Sequence, residues 1–182
     1  MFKKEIISHF LVTLAWLVVI SLLRWYLKWN LVWLWLGGFV GTFLLDIDHF
    51  FYWFFYHPEK EDSKIALELW KKGDFRKLVM LMAEYHTTHT RLIFHTALFQ
   101  VIFLIFSFFI FTTSGSFFAA GLVAGMNLHL LKDEWGEILE KKEEHLNDWL
   151  FWQVKRKISL REQGIYLIIV SLVFGLLSFL VK

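Results

Sequence analysis

The chain has 182 residues, 57% of them hydrophobic and 20% aromatic, with 21 Phe, 10 Trp and a single Pro. Soluble domains average about 45–50% apolar residues, so this composition, gathered in blocks along the chain, points to an integral membrane protein. A net charge of only +2 argues against a nucleic-acid partner, and the absence of Cys excludes disulfides, thiolate zinc sites and a cysteine nucleophile. Any metal must therefore be held by His, Asp and Glu.

In chain order, the apolar blocks predict an all-α integral membrane protein: one polytopic domain with about five transmembrane helices. Each is matched to a hydrocarbon core of about 30 Å at about 1.5 Å per residue. The first covers residues 6–27. It ends around Arg24-Trp25-Tyr26 without a small-residue cleavage site, and so reads as an uncleaved span. The second covers residues 31–56 and contains Asp46 and Asp48. Residues 57–91 are charged and read as two helices broken at Gly73, with Asp74 capping the second. The third span, 92–111, leads through a short neutral turn to the fourth, 117–131, which ends in polar residues.

Residues 132–164 are again charged. Around 149–152 they suggest either a helix lying in the membrane interface on aromatic anchors, or a solvated helix packed on the domain. Ser159-Leu-Arg-Glu162 is a capping box that opens the last span, 165–181. With the N-terminus inside, Lys3, Lys4, seven basic residues between 57 and 91 and seven between 132 and 162 face the cytoplasm. Only Arg24, Lys28 and Lys182 face out. Positive charge decides orientation, so the N-terminus is expected in the cytoplasm of a multi-pass cell-membrane protein.

This topology puts five polar clusters on one membrane face. They are His9, Asp46-Ile-Asp48-His49, the His86–His89 stretch, Arg91 with His95, and His129-x-x-x-Asp133. Carboxylates within an apolar segment are costly unless paired or ligated, which makes Asp46 and Asp48 functional candidates. His129 and Asp133 lie four apart and share a helical face, a half-site for a divalent ion. Gly37-Gly38-x-x-Gly41 and Gly121-x-x-Ala124-Gly125 are small-residue faces that let the second and fourth spans approach and join the half-sites.

Positions nine apart on one helix point in opposite directions, so His86 and His95 can share an ion only if the helix breaks near the threonines. Arg91 and His95 are expected on one face. His95 is preferred to His89 as a ligand, and His89 to His86. His57 and His145 read as surface residues.

These motifs, in this order, resemble the membrane-bound metal-dependent hydrolase family, also described as LexA-binding inner-membrane-associated hydrolases. The family pattern is an early His, D-x-D-H at the end of a span, H-R-x-x-T-H-S and H-x-x-x-D. The matching elements here are Asp46-Ile-Asp48-His49 after Gly41-Thr-Phe-Leu-Leu, Arg91-x-x-x-His95-Thr96, and His129-Leu-Leu-Lys-Asp133. The chain departs at Thr90, where the family has His, and at Leu45, where it has Pro.

The resemblance implies a metal-dependent hydrolase. The expected ligands are Asp46, Asp48, His49, His89, His95, His129 and Asp133, with Asp48 and Arg91 in catalytic roles and zinc ahead of manganese or iron. A site at the inner interface points to membrane lipids and a lipid phosphoester substrate. The alternative is a non-catalytic scaffold, stapled by metal, that binds a cytoplasmic protein partner. A di-iron oxygenase needs about eight histidines in tight boxes, and only His86-x-x-His89 looks like one.

Overall fold

The computed structural model describes residues 2–23, 29–86 and 88–181, with side chains from Ile6 onward. Arg24, Trp25, Tyr26, Lys28, Thr87 and Lys182, and with them the end of the first expected span, lie outside the described residues. Every described element is helical. Helix α1 covers Phe2–Leu23, α2 Leu31–Leu44 and α3 Ile47–Phe51, the last widening into a π-helical turn over Tyr52–Tyr56. Next come α4 (Glu61–Lys72), α5 (Phe75–Tyr85), α6 (Ala97–Thr113), α7 (Phe117–Leu139), α8 (Glu143–Trp149) and α9 (Leu160–Ser178). Three stretches are long and apolar enough to cross a membrane, Ile6–Leu23, Leu31–Tyr56 and Leu160–Ser178; Ala97–Thr113 is a shorter apolar helix.

Helix α7 is the axis of the bundle, packed on α1, α2, α6, α8 and α9. Its closest partner is α2, and glycine is the reason. A methyl group on Gly41 would overlap the Leu122 carbonyl, and one on Gly121 or Gly125 would overlap the carbonyls of Leu34 or Gly38. Leu-rich helices surrounded by lipid gain little from burying apolar surface on one another, so close backbone approach and polar crossings hold such bundles together.

The crossings are present. Thr13 and Thr42 hydroxyls meet at 2.7 Å between α1 and α2. Asn127 donates to Ser107 at 2.9 Å between α7 and α6, and the indoles of Trp16 and Trp135 donate to Ser178 and Ser171 on α9. Outside this core, large apolar side chains stand exposed along α1, α6 and α9, such as Leu22, Ile105 and Leu176 at 63%, 58% and 69%. A band of that kind needs an apolar surrounding.

The local signals in the charged segments hold. Gly73, at φ 68°, ends α4 in the left-handed conformation, and Asp74 accepts from the Lys77 amide to start α5. Ser159 and Glu162 form the reciprocal capping box of α9. Three expected boundaries shift. The helix expected over 92–111 begins at Ala97, because residues 88–96 form an irregular loop that ends where Thr96 caps α6. The helix expected over 117–131 continues as α7 to Leu139, since its polar residues there are buried against other helices. Around 149–152 no interfacial helix forms: α8 ends at Trp149, and Trp149, Leu150 and Phe151 are buried against Ala97, Ile138 and Tyr166.

Candidate metal centre

Five segments deliver polar side chains to one buried point. The α2–α3 turn brings Asp46, Asp48 and His49, and helix α7 brings His129 and Asp133. His86 follows the last turn of α5, His95 comes from the 88–96 loop, and His9 from α1. His9, His49, His95 and His129 are all under 5% exposed. The break after Tyr85 is what allows His86 and His95 to face the same centre.

Four atoms form a closed ring of near-equal separations. His86 Nε2 lies 3.4 Å from Asp46 Oδ1 and 3.8 Å from Asp133 Oδ2, while His129 Nε2 lies 3.5 Å and 3.2 Å from the same two oxygens. Ligand atoms about 2.0–2.2 Å from one ion are about 3.3–3.6 Å apart in a tetrahedral site, and these four edges are of that order. Asp46 Oδ1, Asp133 Oδ2 and His129 Nε2 are buried without a directed hydrogen bond, as are Asp48 Oδ1, His49 Nε2 and His95 Nε2. Six orphaned buried atoms, all of ligand type, are a strong departure from the rule that buried polar atoms are paired.

The far sides of His129, Asp133, His95 and His49 are held by other groups. His129 Nδ1 donates to the Thr42 carbonyl at 2.6 Å, leaving the Nε2 lone pair for the centre. Asp133 Oδ1 accepts from Lys132 Nζ at 3.1 Å and lies 3.0 Å from His9 Nε2, while Oδ2 faces His86 and His129. His9 also stacks on His129, with ring centroids 4.4 Å apart. Asp48 Oδ2 accepts from the Phe94 amide at 2.6 Å and faces His95 Nδ1 at 3.5 Å. Asp48 thus holds the loop and turns His95 Nε2 inward.

The longest anchor is a relay. Asp62, at the start of α4, accepts from Trp53 Nε1 and from His89 Nε2, both at 2.8 Å. Burial raises the Asp62 carboxyl, but the His89 and Trp53 hydrogen bonds outweigh it and hold it below its ordinary range. Burial in turn keeps the His89 ring below its ordinary value despite Asp62, so His89 is neutral. Its Nδ1 then accepts from His49 Nδ1 at 2.8 Å, leaving the His49 Nε2 lone pair facing the centre.

Asp46, His49, His95, His129 and Asp133 meet as the sequence suggested, and Asp48 lies among them. His89 differs: both ring nitrogens are committed, so it orients a ligand rather than being one. Arg91 differs as well. It is exposed at φ 61° in the loop, shares no helical face with His95, and lines a separate surface cavity with Asp148 and Lys155. His86 and His9 lie in the same cluster, although the sequence ranked His86 behind His95 and His89. His86 could be recognised only by seeing that the stretch after Tyr85 leaves helical periodicity. Asp62 carried no signal beyond an acidic first turn of a helix.

Two overlapping donor sets can be drawn, His86, His95, His129 and Asp133 on one side and Asp46, His49 and His86 on the other. One imidazole Nε2 serves one ion, whereas a carboxylate can bridge, so the donors suffice for one ion or for a pair sharing Asp46. Burial opposes charge on the His86 ring, but the Asp46 and Asp133 carboxylates beside it outweigh that and raise its pKa. A polar cavity of about 340 Å³ reaches His86 and Asp133 from one side, lined also by Lys132, Glu137, Lys142 and His145. The chain matches no protein-family model, no curated protein and no solved structure.

Proposed function

We propose that this chain is a five-span membrane protein with its N-terminus and metal centre on the cytoplasmic side, and that the centre hydrolyses a lipid phosphoester. The observation that carries the reading is the gathering, beside a polar cavity, of six buried ligand-type atoms that make no directed hydrogen bond. The sixteen inner basic residues against three outer ones support the orientation. The motif order of the membrane-bound metal-dependent hydrolases supports the reaction class, and His/carboxylate donors without thiolate favour zinc or manganese.

His86, His129, Asp46 and Asp133 would hold the ion, with His49 and His95 completing a second position. When bound, the ion supplies Lewis acidity and brings the pKa of a water beside it to about 7. The chain's own residues do the rest. Glu137 accepts from His145 at 2.7 Å and pairs with Lys142 at 3.2 Å in the polar cavity. Paired with these two groups, the Glu137 carboxylate is placed to take the proton from an attacking water. Lys132 and Lys142 line the same cavity and offset the negative charge of a phosphoester.

The test is headgroup release from phospholipid vesicles by purified protein loaded with zinc or manganese. Release that persists in an Asp46→Asn, Asp133→Asn double variant would overturn the reading. Because the ligands come from so many separate segments, a structural staple is the second reading. It requires a large drop in melting temperature on chelation and no turnover of any phosphoester.

A further inference from the structure

On the other side of His86 from the polar cavity lies an apolar one. It has a volume of about 420 Å³, within the range of ligand sites, and runs between α1, the α2–α3 turn and α5. Its outer walls, Phe43, Ile47 and Val79, are exposed apolar residues of α2, α3 and α5. Its inner end is formed by His9, Asp46 and His86, which belong to the metal centre. A groove that starts among exposed apolar side chains and ends on candidate metal ligands suits an amphiphile rather than a water-soluble substrate.

We propose that this groove holds the acyl chain of a membrane phospholipid, admitted sideways from the inner leaflet, and that it presents the lipid's phosphate to the centre at His86. The proposal rests on the metal-site reading above, but its binding step does not require turnover.

The two cavities are chemically complementary to the two ends of such a molecule. The apolar groove matches the chain. Lys132 and Lys142, with the cationic centre, match the phosphate and open toward water for the released headgroup. His86 is shared by both linings, so the junction between chain and phosphate falls at the ligand atoms. Helix α5 forms one wall through Val79, Met82 and Ala83 and packs on α1, so the spacing of these two helices sets the width of the groove.

The probe is a phosphatidic acid carrying a diazirine in its acyl chain, diluted into phosphatidylcholine nanodiscs with the full-length, zinc-loaded protein. After irradiation, labelled peptides are mapped by mass spectrometry. Labelling is expected to concentrate on residues 43–50 and 79–83, well above Ile105 and Leu176 of α6 and α9, which are more exposed. Excess lauryl phosphate should suppress it and inorganic phosphate should not, which separates a lipid phosphate from a free one.

Ala83→Trp and, at the mouth, Val79→Trp each fill the groove without touching a ligand. Either should cut labelling about tenfold, the loss of roughly two buried methylene groups, with zinc content unchanged. Val79 is exposed, so its variant stands even if Ala83→Trp fails to fold. Even labelling over all lipid-facing helices, or labelling that ignores Val79→Trp, would overturn the proposal. Groove labelling without headgroup release would overturn the hydrolase and leave the groove standing. Release with even labelling would do the reverse.

Discussion

Replacing Asp62 by Leu tests whether the relay to His49 tunes the metal centre from outside. The carboxylate accepts two 2.8 Å hydrogen bonds, from His89 Nε2 and Trp53 Nε1. Without it, His89 has no reason to keep its proton on Nε2. The proton can move to Nδ1, where it opposes His49 Nδ1–H at 2.8 Å and turns the ring that should offer Nε2 to the ion. Outer-shell partners of metal histidines are worth about 10- to 100-fold in affinity, or about 1.4–2.8 kcal/mol. Asp62→Leu should therefore weaken zinc by that factor in competition with a chromophoric chelator. It also orphans two buried donors, at about 1–3 kcal/mol each, so the metal-free protein should melt earlier. Trp53→Phe separates the two effects: it removes one hydrogen bond to Asp62 but leaves the His89–His49 contact, and should lower stability while zinc affinity stays at the parent value. Unchanged affinity in a folded Asp62→Leu protein would refute the relay.

The other expectations concern the centre itself. His129→Ala removes a ligand and should reduce zinc affinity by more than the roughly 100-fold that outer-shell changes reach, read by elemental analysis of the detergent-purified protein. Gly41→Ala places a methyl on the Leu122 carbonyl and should cost about 1–3 kcal/mol in thermal unfolding. It should also lower metal content, because α2 carries the turn that holds Asp46 and His49. The raised pKa of His86 means that a proton competes with the ion below that pKa. Affinity should then fall as pH drops, by up to about tenfold per pH unit for each proton displaced, and level off above it; a pH-independent affinity would exclude His86 as a ligand. If headgroup release is observed, Glu137→Gln should lower kcat by about 10²–10⁴ and abolish the acidic limb of the pH profile, since the base acts only when deprotonated.

The sequence by itself determined the features governed by local or one-dimensional rules. Apolar blocks gave helices, Gly73 and Asp74 gave a stop and a start, and Ser159 with Glu162 gave a cap. The spacing of His129 and Asp133 put both on one face of α7, and the glycine runs marked the α2–α7 contact that joins the two half-sites. What only the tertiary structure decided depends on where the helix is absent or on distant partners. The loop after Tyr85 has no periodicity to read, so His86 joined the ring of four while Arg91, expected on one face with His95, turned to a separate surface cavity. His89 became an orienting residue because Asp62, 27 positions earlier, occupies one of its nitrogens and His49 the other. A ligand and its support are the same residue types in a sequence; they differ only in which atom faces the centre, and that is fixed by packing.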